Sequence, residues 1–173
     1  MSLYLLDAKA LTRHLDSFSD LLHATVHAGA SVGFVYPFPP EEARAFWQDK
    51  VRPSLRSKGR RLFAMELEGR IAGTVQLGLD HFPNQAHRGE VMKLLVHPDF
   101  RRRGIGRALM VTLEAEARRL GRSLLTLDTR SGDPAGTLYR SLGFELAGEI
   151  PDYALAPEGD RLDATSYMYK RLR

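Results

Sequence analysis

The chain has 173 residues, no cysteine and a net charge of +4, from 25 basic and 21 acidic residues. This length suits a single domain with a sizeable core, and the lack of cysteine excludes disulfides and a thiolate nucleophile. No apolar run approaches the roughly 18 residues that a membrane helix needs, and the N-terminal residues lack the basic start of a secretory signal, so we expect a cytoplasmic protein with no membrane partner.

Apolar spacing predicts a short strand and two helices in the first third of the chain. Residues 3–7 (LYLLD) are typical of a strand, and residues 8–28 carry leucines and a phenylalanine at helical spacing. Two glycines within residues 27–34 end that helix. Residues 39–55 predict a second helix, because Pro40 suits its first turn and two glutamates follow where the helix dipole favours anions.

The middle of the chain alternates between strands and helices. Residues 60–80 predict a hairpin that turns at Glu-Gly-Arg, and residues 89–98 predict a third, mostly apolar strand. A helix over 104–121 carries one apolar stripe and ends at a glycine. A buried strand over 123–129 and a short helix over 134–143 follow.

Two closing strands are predicted over 144–150 and 164–172, with a loop over 151–163 between them. The resulting order, β-α-α-β-β-β-α-β-α-β-β, contains both hairpins and crossover helices. It therefore predicts an α/β fold with a mixed sheet. Because the sequence contains no repeat, low-complexity segment or linker, we expect residues 1–173 to form one domain.

Three arginines run into two glycines and a predicted helix in the stretch HPDFRRRGIGRALM, residues 97–110. A dinucleotide-binding fingerprint needs a third glycine and follows a strand directly, and a P-loop needs Lys-Ser/Thr after its last glycine. Here Gly106 is followed by Arg107 and Ala108. The sequence therefore predicts neither of these two common nucleotide motifs.

Basic residues at the start of a helix oppose the helix dipole, so four arginines around one first turn are unfavourable unless an anion lies among them. The glycines would let backbone N–H groups approach that anion closely. The stretch therefore indicates a bound phosphate group, most simply a pyrophosphate. Nucleic acid is not the expected partner, because acidic residues are interspersed through the chain and no basic stripe with aromatic residues is present.

Two segments together resemble a known family. Arg101-x-x-Gly104-x-Gly106 follows a strand that ends at Val96 and looks like motif A of the GNAT superfamily of N-acetyltransferases. Residues 135–144 (AGTLYRSLGF) look like motif B of the same family, A-x-x-L-Y-x-x-x-G-F. The resemblance implies the GNAT fold, a mixed central sheet flanked by helices, across essentially the whole chain.

The resemblance also implies an activity: transfer of acetyl from acetyl-CoA directly to an amine within one ternary complex. Acetyl-CoA is then the cosubstrate, held by backbone groups of β-strand residues and by the arginine–glycine loop. The expected cofactor-binding residues are Leu94, Leu95, Val96, Arg101, Arg102, Arg103, Gly104, Ile105, Gly106 and Arg107. No metal is expected, because no His/Cys/Asp spacing indicates a metal site.

Three residues are candidates for the chemistry. Transfer of acetyl to an amine needs a base, because an alkylammonium group has a pKa around 10 and must lose its proton before it can attack. Glu90 matches the position of a base in several members of the family, and Asp128 matches an acid proposed to assist in one branch; either or both could act. Tyr139 occupies the motif B position that protonates the departing thiolate. A backbone N–H at Leu95 or Val96 is expected to stabilise the oxyanion.

Four further segments (25–34, 90–96, 124–132 and 148–170) resemble the tabtoxin resistance acetyltransferases of that family, which acetylate an amino-acid-like β-lactam toxin. We therefore expect a small-molecule amine as acceptor, of amino-acid or antimetabolite type, and a place in toxin resistance. Ser31 and Phe34 are the expected substrate-binding residues, after the first helix.

The alternatives at this stage are a protein or peptide N-acetyltransferase of the same fold and a CoA-binding module without catalysis. Glu90 and Tyr139 argue against the second of these. The resemblance also allows a homodimer, because many members of the family pair.

Overall fold

A seven-stranded mixed sheet with helices on both faces forms the body of the computed structural model, which describes residues 2–172. The α/β architecture predicted from the sequence is confirmed. Among these residues, no helix has both the length and the apolar character needed to cross a bilayer. The elements in chain order are β1 (Ser2–Leu6), α1 (Ala8–Arg13), α2 (Leu15–His27), α3 (Pro40–Ala45), a π-helical turn (Phe46–Val51), α4 (Arg52–Arg56), β2 (Arg60–Leu67), β3 (Arg70–Gly78), β4 (Arg88–Val96), α5 (Ile105–Arg119), β5 (Leu124–Arg130), α6 (Pro134–Ser141), β6 (Glu145–Leu155) and β7 (Leu162–Arg171).

The strands lie in the order β1-β2-β3-β4-β5-β7-β6, and only β4 and β5 are parallel neighbours. Their pairing is short: it ends where Glu90 lies opposite Thr126. β4 nevertheless continues to Val96 and β5 to Arg130. The two strands therefore separate in the middle of the sheet and leave a gap, named here the β4–β5 gap.

Two apolar clusters pack on opposite faces of the sheet. Helix α5 covers one face with Ile105, Leu109 and Leu113, all essentially fully buried. The segment from α1 to α4 covers the other, with Phe18 and Trp47 fully buried and their rings 4.8 Å apart. Because the second cluster includes residues of β2, β3 and β4 but none of β5, β6 or β7, that face is less covered beside the gap.

A β-bulge interrupts β4 beside the gap. Gln76 of β3 lies opposite Met92, and Thr74 lies opposite Leu95, so two residues of β4 occupy the space opposite Val75 alone. Lys93 is one of these two and has a left-handed backbone with φ of 50°. The bulge also reverses the alternation of side chains, because Glu90 and Leu95 then face the same side of the sheet.

Three details differ from the sequence prediction. The helix predicted over 8–28 is broken at His14, whose N–H donates to both Ala10 and Leu11 carbonyls. The second helix contains the π-helical turn. The loop predicted over 151–163 is wrong at both ends, since β6 runs to Leu155 and β7 begins at Leu162. Proline is tolerated there because β6 is an edge strand with an irregular register between Ile150 and Ala154.

Candidate active site

The β4–β5 gap exposes one edge of β4. On its other edge, Leu95 and Val96 pair with Thr74 and Gly73 of β3. Toward β5, residues 91–96 pair with no strand among the described residues. An extended chain could therefore add to this edge by main-chain hydrogen bonds, as the family resemblance implies for acetyl-CoA at Leu94, Leu95 and Val96.

A cradle of free N–H groups lies at the end of this edge. Arg102 and Gly104 both have left-handed backbones, with φ of 65° and 78°. Gly104 is the N-cap of α5 and supplies no side-chain cap. Within residues 2–172, the six N–H groups from Arg102 to Arg107 donate to no backbone acceptor. Free donors at the start of a 15-residue helix suit a phosphate or pyrophosphate.

The four arginines of this loop differ in what they contact. Arg103 lies 3.4 Å from Glu68 and over the ring of Phe100, and Arg107 donates a 2.7 Å hydrogen bond to Ser141. Arg101 and Arg102 are exposed and form no ion pair with any other described residue. The structure therefore leaves Arg101 and Arg102 as the guanidinium groups most available to an anion.

Ile105 and Gly106, the two other residues of this loop predicted for the cofactor, offer only backbone groups to the cradle. The Ile105 side chain is buried in the core against β3, so only its N–H faces the cradle. At Gly106 an added Cβ would lie 3.2 Å from Leu138 Cδ2 of α6. A side chain at this position would therefore be in close contact with Leu138, which would have to shift by a few tenths of an ångström.

Tyr139 lies on α6, 6% exposed, with its ring 5.8 Å from that of Phe144. Burial raises the pKa of Tyr139 well above its ordinary value, and the negative charges of Asp128 and Asp133 raise it further. The phenol consequently keeps its proton across the physiological range. It can donate a hydrogen bond but does not serve as a base.

Glu90 and Asp128 lie on the same face of the sheet at the mouth of the gap. Glu90 is paired with Thr126, and Asp128 lies two residues further along β5, about 7 Å for one pleat repeat. Arg88 donates a 3.0 Å hydrogen bond to Thr126 Oγ1 between them. Glu90 is half-buried and Asp128 is exposed, so water can reach both carboxylates.

A tyrosine pair missed from the sequence stands beside Asp128. Tyr167 of β7 is the register partner of Asp128, and its hydroxyl lies 2.7 Å from that of Tyr153 on β6. This hydrogen bond, followed by burial and the charges of Tyr153, Asp128 and Glu90, raises the pKa of Tyr167 to about 12. Because Tyr153 falls in the segment interpreted as a loop, no strand periodicity had indicated the pair.

The loop that carries the predicted substrate-binding residues Ser31 and Phe34 contacts Lys93, a residue that the sequence analysis also missed. The acceptor loop, residues 28–36, places the Val32 carbonyl 2.6 Å from Lys93 Nζ. The ring centroid of Phe34 lies 5.8 Å from the same atom, and the ring packs against the apolar cluster of α2 to α4. Ser31 is half-buried in the same loop, and its role stays a prediction. A single lysine in the otherwise apolar run VMKLLV was the signal available.

Comparison with known proteins yields a family model and a relative. The model described as "Acetyltransferase (GNAT) family" matches residues 23–144. An uncharacterized N-acetyltransferase of Azospirillum brasilense, from the hisH–hisA intergenic region, is 35% identical over 122 residues, which cover 69% of this chain and 70% of that protein. Residues 23–144, which the family model matches, contain the arginine–glycine loop, the β4–β5 gap and α6.

Two solved structures share the fold over nearly the whole chain. A ribosomal-protein-alanine N-acetyltransferase from Brucella melitensis superposes with a TM-score of 0.75 at 23% identity, covering 99% of this chain and 100% of that one. A putative acetyltransferase from Salmonella typhimurium, solved with its cofactor acetyl-CoA, gives 0.76 at 22%, covering 100% and 94%.

Proposed function

The chain belongs to the acetyltransferase (GNAT) family, whose cosubstrate is acetyl-CoA, and from this premise we propose that it acetylates the primary amine of a small, amino-acid-like molecule. The observation that carries the proposal is the pair of carboxylates, Glu90 and Asp128, on one face at the mouth of the β4–β5 gap. In the proposed mechanism these two carboxylates receive the ammonium group of the acceptor. The site is one part of a single domain over residues 1–173.

Acetyl-CoA supplies an activated thioester when bound, and the chain's own groups would hold it. The six free N–H groups from Arg102 to Arg107, with Arg101 and Arg102 side chains, would bind the phosphates. The unpaired edge of β4 at Leu94 to Val96 would bind the extended arm, and an N–H at Leu95 or Val96 would stabilise the oxyanion.

Proton movement is assigned to three side chains. Glu90 and Asp128 would accept the ammonium proton, directly or through water, so that the neutral amine can attack the thioester carbonyl. Tyr139 would donate its hydroxyl proton to the departing sulfur from the α6 side of the sheet. No residue becomes acetylated in this scheme, since amine and thioester react within one ternary complex.

The four segments that resemble tabtoxin resistance acetyltransferases meet around the acceptor side of the gap. The first (25–34) contacts the second (90–96) through Val32 and Lys93. The third (124–132) pairs with the fourth (148–170) where Asp128 lies opposite Tyr167. Both contacts lie beside the β4–β5 gap, and on this basis we include tabtoxin-type antimetabolites and toxin resistance in the proposal.

An amine library tests this proposal. Purified protein and acetyl-CoA are incubated with amino acids, amino-acid-like β-lactams such as tabtoxinine, aminoglycosides and N-terminal peptides, and products are identified by mass spectrometry. We expect acetylation of amino-acid-like amines. Acetylation of peptides alone would replace the proposal by a protein N-acetyltransferase, and acetyl-CoA binding without any product would indicate a non-catalytic module.

Glu90→Gln should move the pH optimum of acetyl transfer upward, because deprotonation of an ammonium of pKa around 10 would then be left to solvent. The measurement is kcat/KM against pH for wild type, Glu90→Gln and the matched variant Asp128→Asn. A profile unchanged in Glu90→Gln but shifted in Asp128→Asn would move the base role to Asp128. Two unchanged profiles would remove both carboxylates from proton transfer.

We also propose a homodimer. The edge strand β6 leaves its outer side unpaired by any described strand, and it exposes the large apolar side chains of Leu146, Ile150, Tyr153 and Leu155. Exposed apolar edge strands are ready to pair with another chain.

A further inference from the structure

Lys93 places a half-buried ammonium group beside the acceptor loop and two aromatic rings. Its backbone lies in the β4 bulge with a left-handed conformation, which carries the side chain to the acceptor loop. Its ammonium lies 5.8 Å from the ring centroids of both Phe34 and Phe46, which contact each other edge to face. A Cβ added at Gly33 would lie 3.4 Å from Nζ, so the backbone of the acceptor loop approaches the ammonium closely.

This ammonium is incompletely satisfied. A lysine ammonium has three donors, and among the described residues Lys93 Nζ donates only to the Val32 carbonyl. None of these residues supplies a carboxylate within ion-pair distance. Burial accordingly lowers the pKa of Lys93, against a smaller raising effect of Asp128, and the nearby Arg60 lowers it further. A half-buried cation with free donors is stabilised by an anionic ligand.

The mouth of the gap carries charges of both signs, with Arg60 and Arg88 also near the carboxylates. Glu90 and Asp128 supply negative charge on the sheet, and Lys93 supplies positive charge beside the acceptor loop. A small molecule that carries both an ammonium and a carboxylate matches this arrangement. We infer that Lys93 binds the carboxylate of the acceptor and selects carboxylate-bearing amines over carboxylate-free ones.

The inference rests on the proposed function and gives Lys93 a role in specificity. The test compares kcat/KM for matched acceptors, an amino acid and the amine that lacks its carboxylate, both drawn from the library hits. In Lys93→Met, we expect kcat/KM for the amino acid to fall by about 10- to 100-fold, mainly through KM, as for loss of one charge-assisted hydrogen bond. The carboxylate-free amine should be little affected. Lys93→Arg, which keeps the charge, should recover most of the discrimination.

Matched controls separate this role from a structural one. Lys50→Met removes an exposed lysine from the π-helical turn and should leave kcat/KM unchanged for both acceptors. The Kd for acetyl-CoA and the thermal unfolding midpoint of each variant report on loss of the fold. Equal losses for both acceptors in Lys93→Met, or no wild-type preference for the carboxylate, would overturn the Lys93 inference and leave the proposed function standing. Acetylation of no small amine by wild type would overturn both.

Discussion

Tyr139→Phe should lower kcat by about 10²-fold with little change in the Kd for acetyl-CoA, since removal of one acid catalyst commonly has an effect of this size. The ring would keep its packing against Phe144, so the variant removes only the hydroxyl. Steady-state kinetics with a saturating acceptor measures kcat, and isothermal titration with acetyl-CoA measures the Kd. Tyr4→Phe on the exposed face of β1 is the matched control and should be silent.

The raised pKa of Tyr139 also predicts how the stability of the protein depends on pH. Because the folded state favours the neutral phenol, the stabilising contribution is complete below the unfolded pKa of about 10 and is lost as the pH rises above it. The free energy of unfolding of wild type should therefore fall more steeply above pH 10 than that of Tyr139→Phe. Unchanged turnover in Tyr139→Phe would remove the residue from the mechanism, whatever its effect on stability.

Removing the two free guanidinium groups should weaken acetyl-CoA binding strongly. We expect the double variant Arg101→Ala and Arg102→Ala to raise the Kd for acetyl-CoA by about 10²-fold, taking the low end of the range for two charge-assisted hydrogen bonds because both side chains are exposed. Turnover at saturating acetyl-CoA should change far less, since neither arginine is assigned to proton transfer. Isothermal titration is the measurement.

A charge-matched control accompanies that variant. Arg13→Ala with Arg56→Ala removes two exposed arginines at α1 and α4, away from the loop, and makes the same change in net charge. It should leave the Kd unaltered. Added salt should weaken the binding of acetyl-CoA to wild type more than to the loop variant, because the loop variant lacks the two charges that salt would screen. Equal Kd values for the two double variants would contradict the assignment of the loop.

The arginine–glycine loop was predictable because its signal is local. Four arginines, two glycines and the following helix lie within one short stretch, and the dipole argument needs no knowledge of the sheet. The same holds for the hairpin of β2 and β3, which turns at Glu68 and Gly69 as predicted. Pro40 likewise starts α3.

Lys93 and Tyr167 could not be found in this way. Lys93 reaches the acceptor loop because a bulge alters the register between β3 and β4, and a register is a property of two strands together. Tyr167 meets Asp128 through the pairing of β5 with β7, which are 39 residues apart at these positions. The β4–β5 gap itself depends on where a parallel pairing stops, and neither strand alone contains that information.

Amide hydrogen exchange with and without acetyl-CoA tests the central claim most directly, namely that the cosubstrate lies along the free edge of β4 with its phosphates on the start of α5. We predict micromolar to submillimolar binding and new protection concentrated at residues 102–107 and 91–96. No binding below millimolar acetyl-CoA, or binding with protection elsewhere and none in these two segments, would contradict the account.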